Sequence, residues 1–514
     1  MSYIVEQKIK GRIYLYEVES YWDSKLKQPR QKRKYLGRKK DDYQQSIKKT
    51  LEDISVKILG DVYLLQTIAQ RLNLEQILKQ VFPLQYKEIL AMAYYQITQS
   101  SPSYLFQYWI EERQLTGVKS LDSSAISELH QELGKSKDKM LEFQYQWIEK
   151  LQPIEAVYYD ITSISSYGTK IDYIEWGYNR DGEQLPQLNM GVVCCSKTSL
   201  PIIYRLFCGG IVDVTTLKNT VGFLKALGVK DFMCIMDRGF YSHQNIIGMN
   251  DPQNKIEFIQ PIPFTTKKAK ELITDNKREL SSSYNAFTYN EELLYYMSDQ
   301  YVIDQDNKFD AHIYFNKKSM VDQKQVLLQK VIEAFDKLKD KQFKNKKHFS
   351  DYLETEIPAG FRDYFRWISA EKICIYNKRA IDKTISRLGA FIIITNSKGL
   401  NKEKVLSYYR RKDTIEKMFD MVKNEMDGYR LRVHSDNTTD GSLFIRFIAL
   451  ILYSDITRVL KEKDLFKKFT VKEMFAELRK IKLTTLKDQG FIVSELSKRH
   501  KQILEAFNIE INPT

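Results

Sequence analysis

The stretch Leu406-Ser-Tyr-Tyr-Arg-Arg-Lys-Asp-Thr-Ile-Glu-Lys-Met-Phe-Asp-Met-Val-Lys-Asn-Glu-Met-Asp427, followed by Gly428, decides how the chain is read. Ile415, Met418, Phe419, Val422 and Met426 recur at helical spacing, and a glycine follows where helices commonly stop, so the pattern predicts one amphipathic helix. At roughly 100° per residue, Tyr409, Lys412, Glu416 and Lys423 fall within an arc of about 60° beside the apolar stripe. One carboxylate therefore stands beside an aromatic hydroxyl and two cations at the rim of the core. Taken alone, such a helix is most often a solvated surface element.

Two aspartates elsewhere change that reading. Ala156-Val-Tyr-Tyr-Asp160 is a short apolar strand ending in a carboxylate, and Phe232-Met-Cys-Ile-Met-Asp237 repeats the arrangement before Arg238-Gly239 turns the chain. Met190-Gly-Val-Val-Cys-Cys and Pro201-Ile-Ile-Tyr-Arg-Leu-Phe supply two strands between them, and Thr215 to Leu227 reads as a helix, which together make the start of a mixed α/β sheet. Asp160 and Asp237 are 77 residues apart (160 to 237), and Asp237 and Glu416 are 179 apart (237 to 416). Two strand-end aspartates and a helix glutamate are the hard oxygen donors that two-metal phosphoryl transfer needs, with Mg²⁺ ions about 3.5–4 Å apart. Either aspartate alone is common in α/β proteins as a cap or loop group. Asp172, Asp181, Asp213 and Asp420 are rivals for a place in the triad, and Asp420, four residues after Glu416 on nearly the same face, is the most serious. His243 and His434 lie near these motifs, but a lone histidine is more often structural than a ligand.

The 514 residues carry 80 Lys+Arg against 66 Asp+Glu, a formal net charge of +14 that favours a polyanionic partner. The five cysteines, Cys194, Cys195, Cys208, Cys234 and Cys374, contain no CxxC pair, which argues against a zinc finger and for a reducing cytoplasm. Met1-Ser-Tyr-Ile opens no signal-peptide pattern, and the apolar run from Leu443 to Tyr453 contains Arg446 and is too short to cross a bilayer. No membrane partner is expected.

Six segments follow from the texture of the chain. Residues 1–60 read as a basic β-hairpin and arm: Arg12-Ile-Tyr-Leu-Tyr-Glu-Val alternates at strand period, and Arg30, Lys32, Arg33 and Lys34 crowd the next stretch with Tyr35 among them, a mixture that suits phosphate contacts and stacking. Residues 61–152 read as a helical DNA-binding domain in which Asp122 to Gly134 carries helix-start and helix-stop residues. Residues 153–260 form the first part of an α/β core. Residues 261–388 are a lysine-rich insertion long enough for a subdomain of its own, residues 389–460 are the second part of the core, and residues 461–514 are a helical tail with amphipathic segments at Thr470–Ile481 and Val493–Phe507.

These motifs resemble the DDE transposases of bacterial insertion sequences in the broad IS4 group, and in layout its IS1634-like members. The resemblance is carried by Leu15-Tyr-Glu-Val-Glu-Ser-Tyr, Lys34-Tyr-Leu-Gly, Tyr159-Asp160-Ile-Thr162-Ser163, the Gly177-Tyr-Asn-Arg-Asp-Gly block, Met236-Asp237-Arg238-Gly239-Phe-Tyr-Ser and the final helix. The family's last motif spaces tyrosine, arginine, glutamate and lysine as Tyr409, Lys412, Glu416 and Lys423 are spaced here, with lysine in place of arginine, so the charge is kept and the planar fork lost. The resemblance implies an RNase H-like mixed-sheet core with a large insertion, flanked by a helical N-terminal region and a helical tail. It implies Asp160, Asp237 and Glu416 as catalytic ligands of two Mg²⁺ ions, with Mn²⁺ a plausible substitute. It further implies that Tyr409, Lys412 and Lys423, with Arg238, touch the DNA backbone, with Arg410 and Arg411 as neighbours able to compensate for the lost fork. The implied partners are double-stranded terminal inverted repeats and target DNA, held by a homodimer at paired ends in the bacterial cytoplasm at the nucleoid. A metal-dependent nuclease on the same core and a silent DNA-binding repressor are the alternatives.

Overall fold

The computed structural model of the protein describes residues 2–10, 12–39, 54–99, 101–180, 182–211, 213–253, 255–424, 430–486 and 490–511. Met1, Asp181, Met426, Asp427 and Gly428, each named above, lie outside the described residues.

Strands β1 (Ser2–Ile9), β2 (Arg12–Asp23) and β3 (Gln28–Arg38) form an antiparallel three-stranded sheet. The expected basic arm is thus a strand, because Gln28 to Arg38 pairs along β2 from Gln28↔Asp23 to Arg38↔Tyr14. After β4 (Ile54–Ile58) the chain turns helical in α1 (Gly60–Arg71), α2 (Leu74–Val81), α3 (Tyr86–Thr98), α4 (Phe106–Glu111), α5 (Ser123–Lys135) and α6 (Lys137–Leu151).

The central sheet opens with β5 (Ala156–Ser166), β6 (Gln187–Cys195) and β7 (Pro201–Cys208), joined antiparallel. Helix α7 (Asp213–Ala226) leads to β8 (Met233–Met236), and α8 (His243–Asn250) leads to β9 (Glu257–Pro261); β8 lies parallel to both β5 and β9. The strands are almost continuously buried, as expected of a sheet covered on both faces. This is the mixed α/β core expected from the sequence, and its strand order β7-β6-β5-β8-β9 is consistent with the RNase H-like sheet expected there.

The stretch 261–388, read above as one subdomain, divides in two. After α9 (Lys267–Leu280), strands β10 (Ala286–Tyr289), β11 (Glu292–Val302) and β12 (Lys308–Phe315) extend the central sheet, whose order is β10-β11-β12-β15-β9-β8-β5-β6-β7 once β15 (Ala390–Thr395) is counted. Leu294, Ile313 and Tyr314 on these strands are fully buried, so burial ties them to the core. The remainder forms α10 (Lys317–Asp336), α11 (Lys346–Glu356), the hairpin β13 (Phe365–Ile368) and β14 (Ile373–Tyr376), and α12 (Lys378–Ile385). It has a small core of its own around Val331, Phe343, Phe349, Tyr364 and Phe365.

Next come α13 (Lys402–Arg410), α14 (Asp413–Asn424), β16 (Arg430–Leu431) and the long α15 (Asp436–Glu462), opened by a Ser435–Thr438 capping box. Beyond α16 (Val471–Leu478), the expected helix from Val493 starts late. Strands β17 (Lys482–Leu486) and β18 (Gly490–Val493) intervene, β17 pairs with β4, and α17 (Lys498–Ala506) follows. Among the described residues no helix is long and apolar enough to cross a membrane.

Helix α5 packs one face against the core. It crosses α15 at a pair of facing glycines: a Cβ on Gly134 would run into the Asn437 carbonyl, and one on Gly441 into the His130 carbonyl. Both obstacles are backbone, so neither can move aside. Gly441→Ala is therefore expected to cost about 1–3 kcal/mol or more in equilibrium unfolding. Gly222→Ala, on an α7 position where an added Cβ meets nothing, is expected to be neutral or to stabilise by about 0.5–1 kcal/mol. Equal effects from the two substitutions would refute the close crossing.

Candidate functional site

Asp160 lies in the middle of β5, where the sequence suggested a strand end. The strand continues through Ile161-Thr162-Ser163-Ile164, whose β-branched residues pair with β6 as far as Ser165↔Gln187. Pairing with β8, however, stops at Tyr159↔Met236, so Asp160 is the first residue of β5 beyond that neighbour, and Asp237 follows the last residue of β8. The two aspartates thus leave adjacent parallel strands at one level. Alternation along β5 sends the Tyr159 hydroxyl to Thr216 and Thr220 of α7 (2.9 and 3.2 Å) and Asp160 to the opposite face.

Glu416 reaches that level from α14. Ile415, Met418 and Phe419 are buried in the core, and the Met418 sulfur lies 3.4 Å from the Cys194 sulfur of β6, which seats the helix on the sheet. Leu406 to Asp427 is not one helix, as its period suggested, but two segments broken at Arg411–Lys412. The Lys412 N–H bonds the Tyr409 carbonyl at 3.2 Å and the Ile415 N–H bonds the Lys412 carbonyl at 2.9 Å, a tightened turn between the helices. The break falls at the residue whose side chain turns into the cleft.

The Lys412 ammonium lies 2.9 Å from Asp237 Oδ1 and 2.8 Å from Glu416 Oε1. Its side chain is only 10% exposed, against 38% for Asp237 and 56% for Glu416. Burial would lower its pKa, but the Asp237 charge and the bond to Glu416 outweigh burial, and the ammonium is held above its ordinary value. Among the described residues Asp160 has no such ion pair. Burial pushes its carboxyl from 3.8 up to about 6, Asp237 adds to the rise, and the Ile161 N–H (2.8 Å), Lys412 and Arg180 oppose it.

One cleft of about 350 Å³ is lined by Asp160, Thr162, Arg180, Asp237, Glu416, Asp420 and Lys423, among others. Arg180 escaped the sequence reading as a site residue. Its Nη1 donates to Ser163 Oγ at 2.8 Å and to Asn189 Oδ1 at 3.4 Å, which fixes it beside Asp160. Its signal was its place in the Gly177-Tyr-Asn-Arg block. Asp420 lines the cleft as a fourth carboxylate, while Asp172 and the two histidines do not line it. Among the described residues no three His, Cys, Asp or Glu groups are already disposed to hold a metal ion. The donor set still fits a hard divalent cation: all are carboxylates, the one with a raised pKa is short of positive charge, and a lysine ammonium already bridges the other two.

The expected DNA contacts separate. The hydroxyl of Tyr409 is kept protonated by burial and feels Lys412, Asp237, Arg238 and Glu416, so it adjoins the cluster. Arg238 is exposed just after Asp237, and Lys423 lies buried in the cleft wall. Arg410 turns away to Glu292 Oε2 of β11 (2.6 Å) and the Tyr289 ring, and Arg411 is exposed outside the cleft lining. On β3, Lys32 and Lys34 stand across from Glu19 and Glu17, Arg30 lies 3.5 Å from Asp23, and Arg33 alone of the four faces the other way.

Residues 152–452 match the family described as Transposase DDE domain. No curated protein matches the chain. Among solved structures, one similar chain is that of a cryo-EM structure of the piggyBac transposase synaptic complex with hairpin DNA, at 10% identity and a TM-score of 0.38, over 77% of this chain and 70% of that one.

The raised Asp160 carboxyl has a direct consequence for the metal-free protein. A carboxyl whose pKa is higher folded than unfolded stabilises the fold when protonated, so stability falls as pH rises from about 4 to about 6 and levels off above. Asp160→Asn should flatten that part of the stability profile in chemical denaturation. A variant with the same slope as wild type would show that Asp160 is not the group responsible.

Proposed function

Because this chain belongs to the Transposase DDE domain family, we propose that it cuts DNA at the inverted-repeat ends of an insertion sequence of the IS4 group and joins the freed 3′-OH ends to target DNA. The observation that carries the reading is that Asp160, Asp237 and Glu416, far apart in sequence, line a single cleft. In this reading Asp160 and Asp237 are the fixed ligands, because sheet strands hold them, and Glu416 completes the set from the helix. When bound there, divalent ions, Mg²⁺ or Mn²⁺ in its place, stabilise charge on the attacking and leaving oxygens of an in-line displacement.

The chain's own residues do the rest. Lys412 neutralises Asp237 and Glu416 and draws them together before substrate arrives, and its three N–H donors then serve a phosphate as a point charge. Arg180, anchored by Ser163 and Asn189, offers a planar guanidinium to the strand on the Asp160 side, with Lys423 and Arg238 bordering the same path. Tyr409, with its pKa raised by burial, donates a hydrogen bond and is no nucleophile. Asp420 is the further oxygen donor in the cleft. A homodimer pairing two ends suits a reaction that must process both.

The reading is tested by strand transfer with purified protein, Mg²⁺ and DNA carrying the element's ends. Asp160→Ala, Asp237→Ala and Glu416→Ala are each expected to lower cleavage on the order of 10²–10³-fold or more, because several kcal/mol of charge stabilisation depends on the ions they hold. Wild-type product that is nicked but never joined would mark a nuclease; tight binding with no cutting would mark a repressor. Asp420→Ala losing as much as Glu416→Ala would reassign the third carboxylate.

A further inference from the structure

The β1–β2–β3 sheet has two chemically different faces. Directly paired residues share a face, and alternate residues along a strand take opposite faces. One face carries Ile4, Glu6 and Lys8 from β1, Glu17, Glu19, Tyr21 and Asp23 from β2, and Arg30, Lys32 and Lys34 from β3, with Tyr21 its single exposed ring. Its four acids match its four cations, and Arg30–Asp23 at 3.5 Å shows the pairing at work. The basic stretch thus shares this face with an equal number of acids.

The other face carries Tyr3 from β1, Arg12, Tyr14, Tyr16, Val18 and Trp22 from β2, and Arg33, Tyr35 and Arg38 from β3. No acidic residue of the three strands falls on it, so within this sheet its three arginines face no acid. Tyr35 packs between Tyr14 and Tyr16, with ring centres 6.1 and 5.4 Å away, and Gln31 donates to the Tyr3 hydroxyl at 3.0 Å. These side chains cover Val18, which is 1% exposed, yet Tyr3, Trp22 and Tyr35 themselves remain 49%, 66% and 55% exposed. Aromatic rings braced from beneath, left open above and interleaved with arginines are the features that stack unpaired bases while holding their phosphates.

We propose that this face, centred on Trp22, Tyr35 and Arg33, binds single-stranded DNA by stacking its bases. Charge complementarity selects a polyanion, and the open rings select one whose bases are free. A duplex would offer this face only its phosphates. The choice of DNA over RNA rests on the function proposed above; the stacking surface itself does not.

The test is fluorescence anisotropy of the full-length protein with a labelled 20-nucleotide single strand and with a duplex of the same sequence, at one fixed salt concentration. Trp22→Ala and Tyr35→Ala are each expected to weaken single-strand binding on the order of tenfold and to leave duplex binding within about twofold. Trp22→Phe should restore most of the loss, as a ring is what is needed, and quenching of tryptophan emission on binding should diminish in that variant. The double variant Lys32→Ala, Lys34→Ala should bind the single strand nearly as wild type does. Trp22 is exposed, so its truncation should spare the fold, which the unfolding midpoint checks. Three outcomes overturn the proposal: single-strand affinity unchanged in both ring variants, equal losses on single strand and duplex, or a drop from dimer to monomer in sedimentation that makes the face a contact between copies. Single-strand binding is read without divalent metal and cleavage is assayed separately on the wild type, so failure of this surface and failure of the cleavage reading are seen separately.

Discussion

An ammonium group shared by two carboxylates joins the sheet to the helix that completes the cleft. Asp237 comes from the end of β8 and Glu416 from the first turns of α14, and Lys412 contacts both. The two contacts are unequal. Glu416 is more than half exposed, so water screens its attraction, whereas the side chain of Asp237 is less exposed and directly follows a buried strand of the central sheet. The lysine is thus tethered mainly to the sheet, and the helix glutamate is the adjustable member. That asymmetry suits a site in which two ligands are fixed and the third closes upon them.

Everything else in the core serves to bring these three groups together. The parallel pairing of β5 with β8 sets the two aspartates side by side, and its end at Tyr159↔Met236 leaves their carboxylates clear of the sheet. The apolar stripe of Ile415, Met418 and Phe419 fixes the rotation of α14 so that Glu416 faces the cleft. Further out, α15 runs through the helical bundle, and the Gly134–Gly441 crossing binds the N-terminal helices to the same core. The helical region packs on that side through one face of α5.

Much of this arrangement was legible in the sequence, and the parts that were not share a cause. The strand carrying Asp160, the strand before Asp237 and the helix bearing Glu416 all announced themselves by periodicity, because each has to bury an apolar stripe, although the first runs on past Asp160 to Ser166. The break at Lys412 did not, since the apolar period runs through it; only Asp413, followed three residues later by Glu416, resembles a helix start. The division of residues 261–388 was hidden because strands that extend a sheet look the same locally as strands of a separate lobe. Arg410 and Arg180 exchanged places relative to expectation for a like reason: nearness in sequence to Glu416 favoured the first, while the partners that fix their directions, Glu292 and Ser163, come from distant strands. Strand register likewise split Arg33 from Lys32 and Lys34, which composition had grouped together.

The central claim is that the cleft between Asp160, Asp237 and Glu416 holds divalent cations. Anomalous diffraction from crystals grown with Mn²⁺ and DNA tests it most directly. Manganese signal is expected against the Asp160 and Asp237 carboxylates, with the Lys412 ammonium moved off Asp237 and Glu416 toward a phosphate. Manganese bound elsewhere, with Lys412 still bridging Asp237 and Glu416, would contradict it.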